Sequence, residues 1–310
     1  MKRLEPLTLP AFAKINLDLR ILGVGADGYH DLRTILQTVA LHDTLTFTPR
    51  KGTFLIECDD PTLPTDRRNL VWQAASLLWR TAGPRRGNTP ADAVVQLRKA
   101  IPREAGLGGG SSNAAMTLVG LSRTWQIDID MPTLSRLAAT LGADVPFFLV
   151  GGTALGLGRG DDIYPLTDLP RCSVVTVRPR FGVATADAYD WFDREPQRRK
   201  REASRRLLPV GWPDWTRNLR NDLEPVVIAH HPTIARIKQA LVEAGAVFSG
   251  MSGSGSTVFG LFERHEAARR TARDLARPGW QVIATRTMGR SEFARCLRPV
   301  LARGRKRRIS

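Results

Sequence analysis

The sequence predicts an α+β fold in which strands and amphipathic helices follow one another in a mixed order. Two observations predict it. The first fifty residues contain segments in which apolar and polar side chains alternate as in strands, and the last third of the chain reads as helix, strand–loop–strand, helix and strand. No period of about 20–50 residues recurs, which excludes a solenoid.

The first strands come from two alternating segments. KINLDLRILGV, which starts at Lys14, and DTLTFTP each place apolar residues two positions apart. In the first segment Lys14, Asn16 and Asp18 share one face, and the apolar residues between them face the core. Taken alone, that polar face is an ordinary solvated strand surface.

A helix over Leu70–Thr81 is predicted next, with Asn69 as its N-cap. A strand from Ala93 follows and runs directly into a stretch rich in glycine. Further helices are predicted from Asn113 and through residues 132–143.

The chain of 310 residues allows one large domain or two ordinary ones. Glycine is dense over Gly151–Gly160, which predicts a change of domain there and gives domains of residues 1–158 and 159–310. GGTALGLGRGDDI, which spans the predicted boundary, and CSVVTVRP after it form a β-rich section.

The composition is that of a globular protein of the cytoplasm. Hydrophobic residues make up 42% and charged residues 25% of the chain, and no apolar run approaches the ~20 residues that span a bilayer. Glu5 and Pro6 interrupt any signal-peptide core. Cys58, Cys172 and Cys296 show neither metal-ligand spacing nor a disulfide framework.

The formal net charge of +16 permits two interpretations: a nucleic-acid partner, or a solvated basic surface around an enzyme that handles anionic substrates. The charge is concentrated in Arg194–Arg206 and in the tail from Ala302. Neither run contains the interleaved aromatic residues that stack on bases, which argues against nucleic acid.

The stretch PREAGLGGGSSNAAMTL, from Pro102 to Leu118, lies between a strand and a helix. Glycines at such a junction let the backbone approach a ligand, and the free amides and dipole of the helix start attract phosphate. No lysine follows the glycines, so this is not a Walker A loop, and the chain does not continue as a dinucleotide fold. The phosphate charge must then be balanced by Mg²⁺ or by a basic residue from elsewhere.

This stretch resembles the ATP-binding loop of the GHMP kinases, the family of galactokinase, homoserine kinase and mevalonate kinase. Ala11–Leu32, Gly142–Leu149 and Ser249–Gly260 resemble further segments of one branch of the family, in the expected order. The resemblance implies a two-domain fold with the active site in the interdomain cleft. It also implies ATP with Mg²⁺ as phosphate donor, a small-molecule acceptor linked to cytidine diphosphate, an ATP-binding first domain and a substrate-binding second domain.

The ATP-binding residues that the resemblance implies are Pro102, Gly106, Leu107, Gly108, Gly109, Gly110, Ser111 and Ser112. One departure lies inside the loop, where Arg103-Glu104-Ala105 replaces the small residues usual in the family. Glu104 would repel ATP unless it faces away, pairs with Arg103 or helps to hold a metal.

For the reacting groups, the resemblance implies Asp144 as catalytic base and Lys14 as its partner, which orients the acceptor hydroxyl and offsets developing charge. Asn16 is implied as a hydrogen-bonding residue for the substrate or the aspartate. Judged only by its neighbours, Asp144 could equally be a helix cap or a turn residue.

Recognition of the acceptor falls to two further sets of residues. Tyr29 and His30, after a tight turn, resemble the cytosine-recognition segment of the branch, and Tyr189 resembles a second aromatic wall, with Trp191 and Phe192 as substitutes.

Ser252 and Gly253 lie in a segment that the resemblance places against the ATP loop, where its backbone or the Ser252 hydroxyl reaches substrate phosphates. The metal ligands stay open: Ser112 is the closest candidate, and Asp18 and Asn221-Asp222 could serve a metal or the substrate.

Two alternative functions remain at this point: another small-molecule GHMP kinase of homoserine or mevalonate type, and a basic nucleic-acid-binding protein.

Overall fold

The computed structural model describes residues 5–25, 28–81, 89–195 and 219–301. Its first sheet has six strands, in the order β3-β4-β2-β5-β6, with β1 paired to β2. These strands are β1 (Leu7–Val24), β2 (His30–Thr53), β3 (Leu55–Cys58), β4 (Ala91–Arg98), β5 (Thr153–Leu157) and β6 (Asp162–Pro165). All neighbours are antiparallel except β3 and β4, which are parallel.

Four helices accompany this sheet in the first half of the chain: α1 (Leu70–Thr81), α2 (Gly109–Thr124), α3 (Met131–Leu141) and α4 (Phe147–Val150). The helix predicted over Leu70–Thr81 is confirmed, and the Asn69 side chain caps it by accepting a 2.9 Å hydrogen bond from the Val71 amide. The α2 helix begins at Gly109, four residues before the predicted start at Asn113, because the last two glycines and both serines of the loop form its first turn.

The second sheet is antiparallel throughout, in the order β10-β7-β9-β8. Its strands are β7 (Ser173–Pro179), β8 (Phe248–Met251), β9 (Val258–Phe262) and β10 (Trp280–Arg286). Its helices are α5 (Thr185–Arg194), α6 (Glu224–His230), α7 (Thr233–Glu243) and α8 (His265–Asp274), and α9 (Arg290–Leu301) follows the last strand. The α+β class is therefore confirmed.

The two sheets share a buried junction along β1. Ile15 and Leu17 pack in one cluster with Phe259 and Leu261 of β9, so the side of β1 predicted to face the core does so against the second sheet. The backbone amide of Leu19 donates to the Arg220 carbonyl at 2.9 Å. Because α9 also packs into the core of the first sheet, both halves of the chain contribute to each other's packing.

The boundary at residue 158 stays a prediction. The β6 strand pairs antiparallel with β5, so the first sheet continues to Pro165, and the second sheet begins at Ser173. The basic run Arg194–Arg206 lies outside the described residues from position 196 onward, as does the tail from Ala302. Within the described part of the chain, no helix is long and apolar enough to cross a membrane.

Gly120 provides a test of the packing between α2 and the first sheet. A Cβ at this position would lie 2.3 Å from the nearest ring carbon of Phe47, which is fully buried. We expect Gly120→Ala to lower the free energy of unfolding by roughly 1–2 kcal/mol, because overpacking outweighs the ~1 kcal/mol gained in helix propensity. Urea denaturation measures the change.

Gly110→Ala is the matched control, since a Cβ there would meet only Leu70 Cδ1, at 3.4 Å. Unfolding midpoints that are equal for the two variants would contradict this account of the packing.

Candidate active site

A lysine and an aspartate meet beside the glycine-rich loop. The Lys14 ammonium lies 3.2 Å from Asp144 Oδ2, with the lysine side chain 4% exposed and the aspartate side chain 36% exposed. Lys14 comes from β1, whereas Asp144 lies in the turn before α4, where the apolar neighbours Val145, Phe147 and Phe148 are fully buried. The buried side chains that follow Asp144 thus fix the position of its partly exposed carboxylate next to the buried Lys14 ammonium.

The Lys14 ammonium has a second partner. It donates to Asn16 Oδ1 at 2.6 Å, and the side-chain amide nitrogen of Asn16, Nδ2, in turn donates to Thr34 Oγ1 at 2.8 Å. The Thr34 hydroxyl donates to the Asp18 carbonyl at 2.7 Å. This chain of bonds fixes the lysine independently of Asp144.

The polar face of β1 is therefore not the solvated surface that alternation indicates. Lys14, Asn16 and Asp18 are 3%, 5% and 0% exposed. Asp144 lies against Lys14, and Ser252 from the second half of the chain bonds to Asn16. A shift in register between Asn16 and Asp18 also interrupts the shared face.

The glycine-rich loop lies directly against Lys14. The Lys14 amide donates to the Leu107 carbonyl at 3.0 Å, and a Cβ on Gly108 would come within 3.1 Å of Lys14 Cγ. Gly108 is left-handed, with φ of 69°, and caps α2 at its N-terminus. Its conformation turns the chain so that the first amides of α2 are free for a ligand.

Ser252 joins the two halves at this loop. Its hydroxyl donates to the Gly106 carbonyl at 2.8 Å and accepts from the backbone amide of Asn16 at 3.2 Å, and Ser252 is fully buried. The packing of this segment against the glycine loop is as predicted. The hydroxyl, however, bonds two protein groups. The neighbouring Gly253 lies close to Lys14, since a Cβ on that glycine would be 3.5 Å from Lys14 Nζ.

Two buried polar atoms at the start of α2 have no hydrogen-bond partner among the residues that the structure describes. They are Ser112 Oγ and Asn113 Oδ1, whose residues are 1% and 3% exposed. Lys99 also lies here: a Cβ on Gly109 would be 3.5 Å from its ammonium, which contacts Asp43. Lys99 lies three residues before Pro102 and was not among the residues predicted for the site.

The departure in the loop has a structural explanation. The Glu104 carboxylate lies beside Gly182 in the second half of the chain, 3.4 Å from where a Cβ on that glycine would be. Arg103 Nη1 donates to the carbonyl and the hydroxyl of Thr62, at 3.1 and 2.7 Å. Glu104 thus neither pairs with Arg103 nor lines the start of α2.

Two of the three predicted base-recognition residues come together. The rings of His30 and Tyr189 are stacked, with centroids 4.7 Å apart, and burial, with Asp144 nearby, raises the pKa of Tyr189 to about 12. Tyr29 is 59% exposed and lies under the Arg159 guanidinium, 4.7 Å away.

The two substitutes considered for Tyr189 occupy other places. Trp191 stacks on His230 at 4.0 Å, and Phe192 is buried with its ring at an edge-on angle to His30. Tyr189 is thus the residue of this helix whose ring stacks on His30.

The carboxylates and amide left open as metal or substrate ligands are engaged in holding the fold. Asp18 accepts from Arg20 Nε at 2.8 Å, and its burial raises its pKa. Asn221 donates to the carbonyls of Met251 and Gly253, at 3.0 and 2.6 Å. Asp222 accepts from the Ile21 amide at 3.0 Å. Among the described residues no cluster of three or more His, Cys, Asp or Glu side chains could hold a metal ion.

Comparison with known proteins shows the family of the chain. Residues 69–152 match the family model "GHMP kinases N terminal domain", and residues 202–279 match "GHMP kinases C terminal". The chain is 42% identical over 285 residues to the 4-diphosphocytidyl-2-C-methyl-D-erythritol kinase of Pelotomaculum thermopropionicum, covering 91% of this chain and 98% of that protein. The enzyme of the same name from Solibacter usitatus is 44% identical over 278 residues, 84% of this chain and 82% of that protein.

Solved structures agree. A crystal structure of 4-(cytidine 5'-diphospho)-2C-methyl-D-erythritol kinase matches with a TM-score of 0.76 and 34% identity, over 91% of this chain and all of that one. Homoserine kinase from Cytophaga hutchinsonii shares only the fold, at 18% identity with a TM-score of 0.62, over 92% of this chain and 96% of that one. The chain therefore belongs to the GHMP kinase family, in its group of 4-diphosphocytidyl-2-C-methyl-D-erythritol kinases.

Proposed function

We propose that this protein transfers the γ-phosphoryl group of ATP to the 2-hydroxyl of 4-diphosphocytidyl-2-C-methyl-D-erythritol, giving the 2-phosphate and ADP. This reaction belongs to the methylerythritol phosphate route to isoprenoid precursors. The observation that carries the proposal is the contact between Lys14 Nζ and the Asp144 carboxylate, 3.2 Å apart beside the glycine loop.

Phosphoryl transfer requires the acceptor hydroxyl in line with the γ-phosphorus, a group that takes its proton, and stabilisation of charge on the transferring oxygens. Asp144, partly exposed, is the acceptor for that proton. Lys14, held by Asn16, orients the hydroxyl and offsets negative charge as the proton leaves. A tertiary alcohol is hindered, so positioning by two fixed groups is the main requirement.

The phosphate chain of ATP is assigned to the loop from Pro102 to Ser112. The free amides at the start of α2 are its donors, and Lys99, whose ammonium is paired with Asp43, lies beside them. The cytosine is assigned to Tyr29, His30 and Tyr189, and the acceptor phosphates to the backbone around Gly253.

Mg²⁺ is proposed to arrive with ATP. The unpartnered oxygens of Ser112 and Asn113 fit a hard cation, which prefers oxygen ligands and keeps several waters. These two residues would hold the ion, and bound there it would neutralise charge on the phosphates.

The test is ³¹P NMR of the protein with Mg-ATP and the cytidyl acceptor, with homoserine and mevalonate in parallel samples. We expect a new phosphomonoester resonance only with the cytidyl acceptor. ADP formation with homoserine or mevalonate instead would contradict the assigned substrate but retain kinase activity, and no turnover with any acceptor would contradict the proposal as a whole.

A further inference from the structure

One face of α5 follows the site along its length. At its first turn the Thr185 hydroxyl lies 3.0 Å from the Ser254 hydroxyl, in the turn between β8 and β9. One turn later Tyr189 stacks on His30, and one turn after that Asp193 Oδ1 lies 2.9 Å from His30 Nε2. Residues four apart lie on the same face of a helix. The helix face that contacts the turn between β8 and β9 therefore also contacts His30. Tyr189 stacks on the plane of the His30 ring, and Asp193 contacts its Nε2.

The Asp193 contact decides which nitrogen of His30 carries the hydrogen. An ionised carboxylate only accepts hydrogen bonds, so Nε2 must be the donor. In the neutral imidazole the other nitrogen, Nδ1, is then left with its lone pair as an acceptor. The His30 side chain is 14% exposed and that of Asp193 is 37% exposed, so the pair lies at the edge of the site.

We propose that Asp193 is a positioning residue for base recognition, which holds His30 as the Nε2–H tautomer so that Nδ1 accepts from the exocyclic amino group of cytosine. A uracil ring carries a carbonyl oxygen at that position and would face the lone pair with another acceptor. Asp193 therefore sets the preference for a cytidyl over a uridyl acceptor. This inference rests on the proposed function, since the base belongs to its acceptor.

Kinetics of Asp193→Ala test the proposal, with the cytidyl acceptor and its uridyl counterpart as substrates. Loss of the tautomer preference should raise KM for the cytidyl acceptor by ~10-fold and narrow the cytidyl-over-uridyl ratio of kcat/KM to a similar extent, because one hydrogen bond is lost from binding. The kcat for the cytidyl acceptor and the affinity for ATP should stay near the values of the unsubstituted protein.

Asp190→Asn is the matched control. Asp190 lies on the same helix, is 66% exposed and pairs only loosely with Arg194, at 3.8 Å. Its substitution removes the same charge without touching His30, so KM and the base preference should not change. A change equal to that of Asp193→Ala would mean that negative charge on the helix, and not the contact with His30, sets the base preference, and would overturn the proposal.

A second readout follows the tautomer itself. The chain has five histidines, and ¹⁵N NMR of the full-length protein labelled at histidine, with His30→Gln for assignment, reports which nitrogen of His30 is protonated. We expect Nε2–H in the unsubstituted protein and in Asp190→Asn, and a mixture of tautomers in Asp193→Ala.

Failure of the Asp193 role and failure of the proposed function give different results. Turnover of the cytidyl acceptor with an unchanged tautomer or base preference in Asp193→Ala would overturn the role of Asp193 alone. An unsubstituted protein that does not phosphorylate the cytidyl acceptor would overturn the proposed function and this inference with it.

Discussion

Asp144→Asn is expected to lower kcat for the cytidyl acceptor by roughly 10²–10⁴, the range that general base catalysis contributes. The amide keeps the size of the side chain but cannot take the hydroxyl proton. Lys14 should keep its place, because its bond to Asn16 at 2.6 Å does not depend on the aspartate. Steady-state ADP formation, measured with saturating ATP and acceptor, gives kcat directly.

Two comparisons make this result specific. Affinity for ATP, measured by equilibrium binding, should change little, because Asp144 lies outside the glycine loop. Asp128→Asn removes an exposed carboxylate before α3 and should leave kcat unchanged. A kcat for Asp144→Asn within about threefold of the unsubstituted protein would show that another group, or the phosphate itself, takes the proton.

The glycine loop, Lys14 and Asp144 were predictable because their signals are local. A glycine run between a strand and an Ala-rich helix predicts a phosphate loop by itself, and motif resemblance supplied the two charged partners. The predicted start of α2 was four residues too late, since nothing in the sequence around Gly109 indicates that its backbone is already helical. Helix propensity places glycine poorly in a helix, and here the fold overrides it.

The burial of the lysine was not predictable, because it depends on contacts between distant positions. The alternation in β1 predicts an exposed face for Lys14 and Asn16. In the structure, Asp144 lies against Lys14, and Ser252, 236 positions along the chain from Asn16, bonds to Asn16. The pairing of Asp193 with His30 is of the same kind, since the two positions are 163 apart in the sequence. Such pairs have no periodic signal in a single sequence.

Gly106→Ala is expected to impair the site at the junction of the two halves. Gly106 has φ of +71°, and a Cβ there would lie 2.1 Å from the Ser252 carbonyl oxygen, a backbone atom. The left-handed conformation alone costs about 1–2 kcal/mol for alanine, and relief of the clash raises the expected loss of unfolding free energy to about 2–4 kcal/mol. We expect the Kd for ATP to rise by ~10-fold or more, because a shift of about 1 Å in a positioning loop has large effects.

Ser252 cannot move away freely, which is why the effect should reach the nucleotide. Its amide donates to the Thr257 carbonyl at 2.9 Å, and its hydroxyl bridges Gly106 and Asn16. Gly245→Ala is the control: φ is +92°, yet nothing lies within 4 Å of the added Cβ. It should lose only the ~1–2 kcal/mol of backbone conformation and keep its ATP affinity. If folded Gly106→Ala bound ATP as tightly as Gly245→Ala, the loop would not position the phosphates, and the charge of Lys99 and Lys14 would have to account for ATP binding.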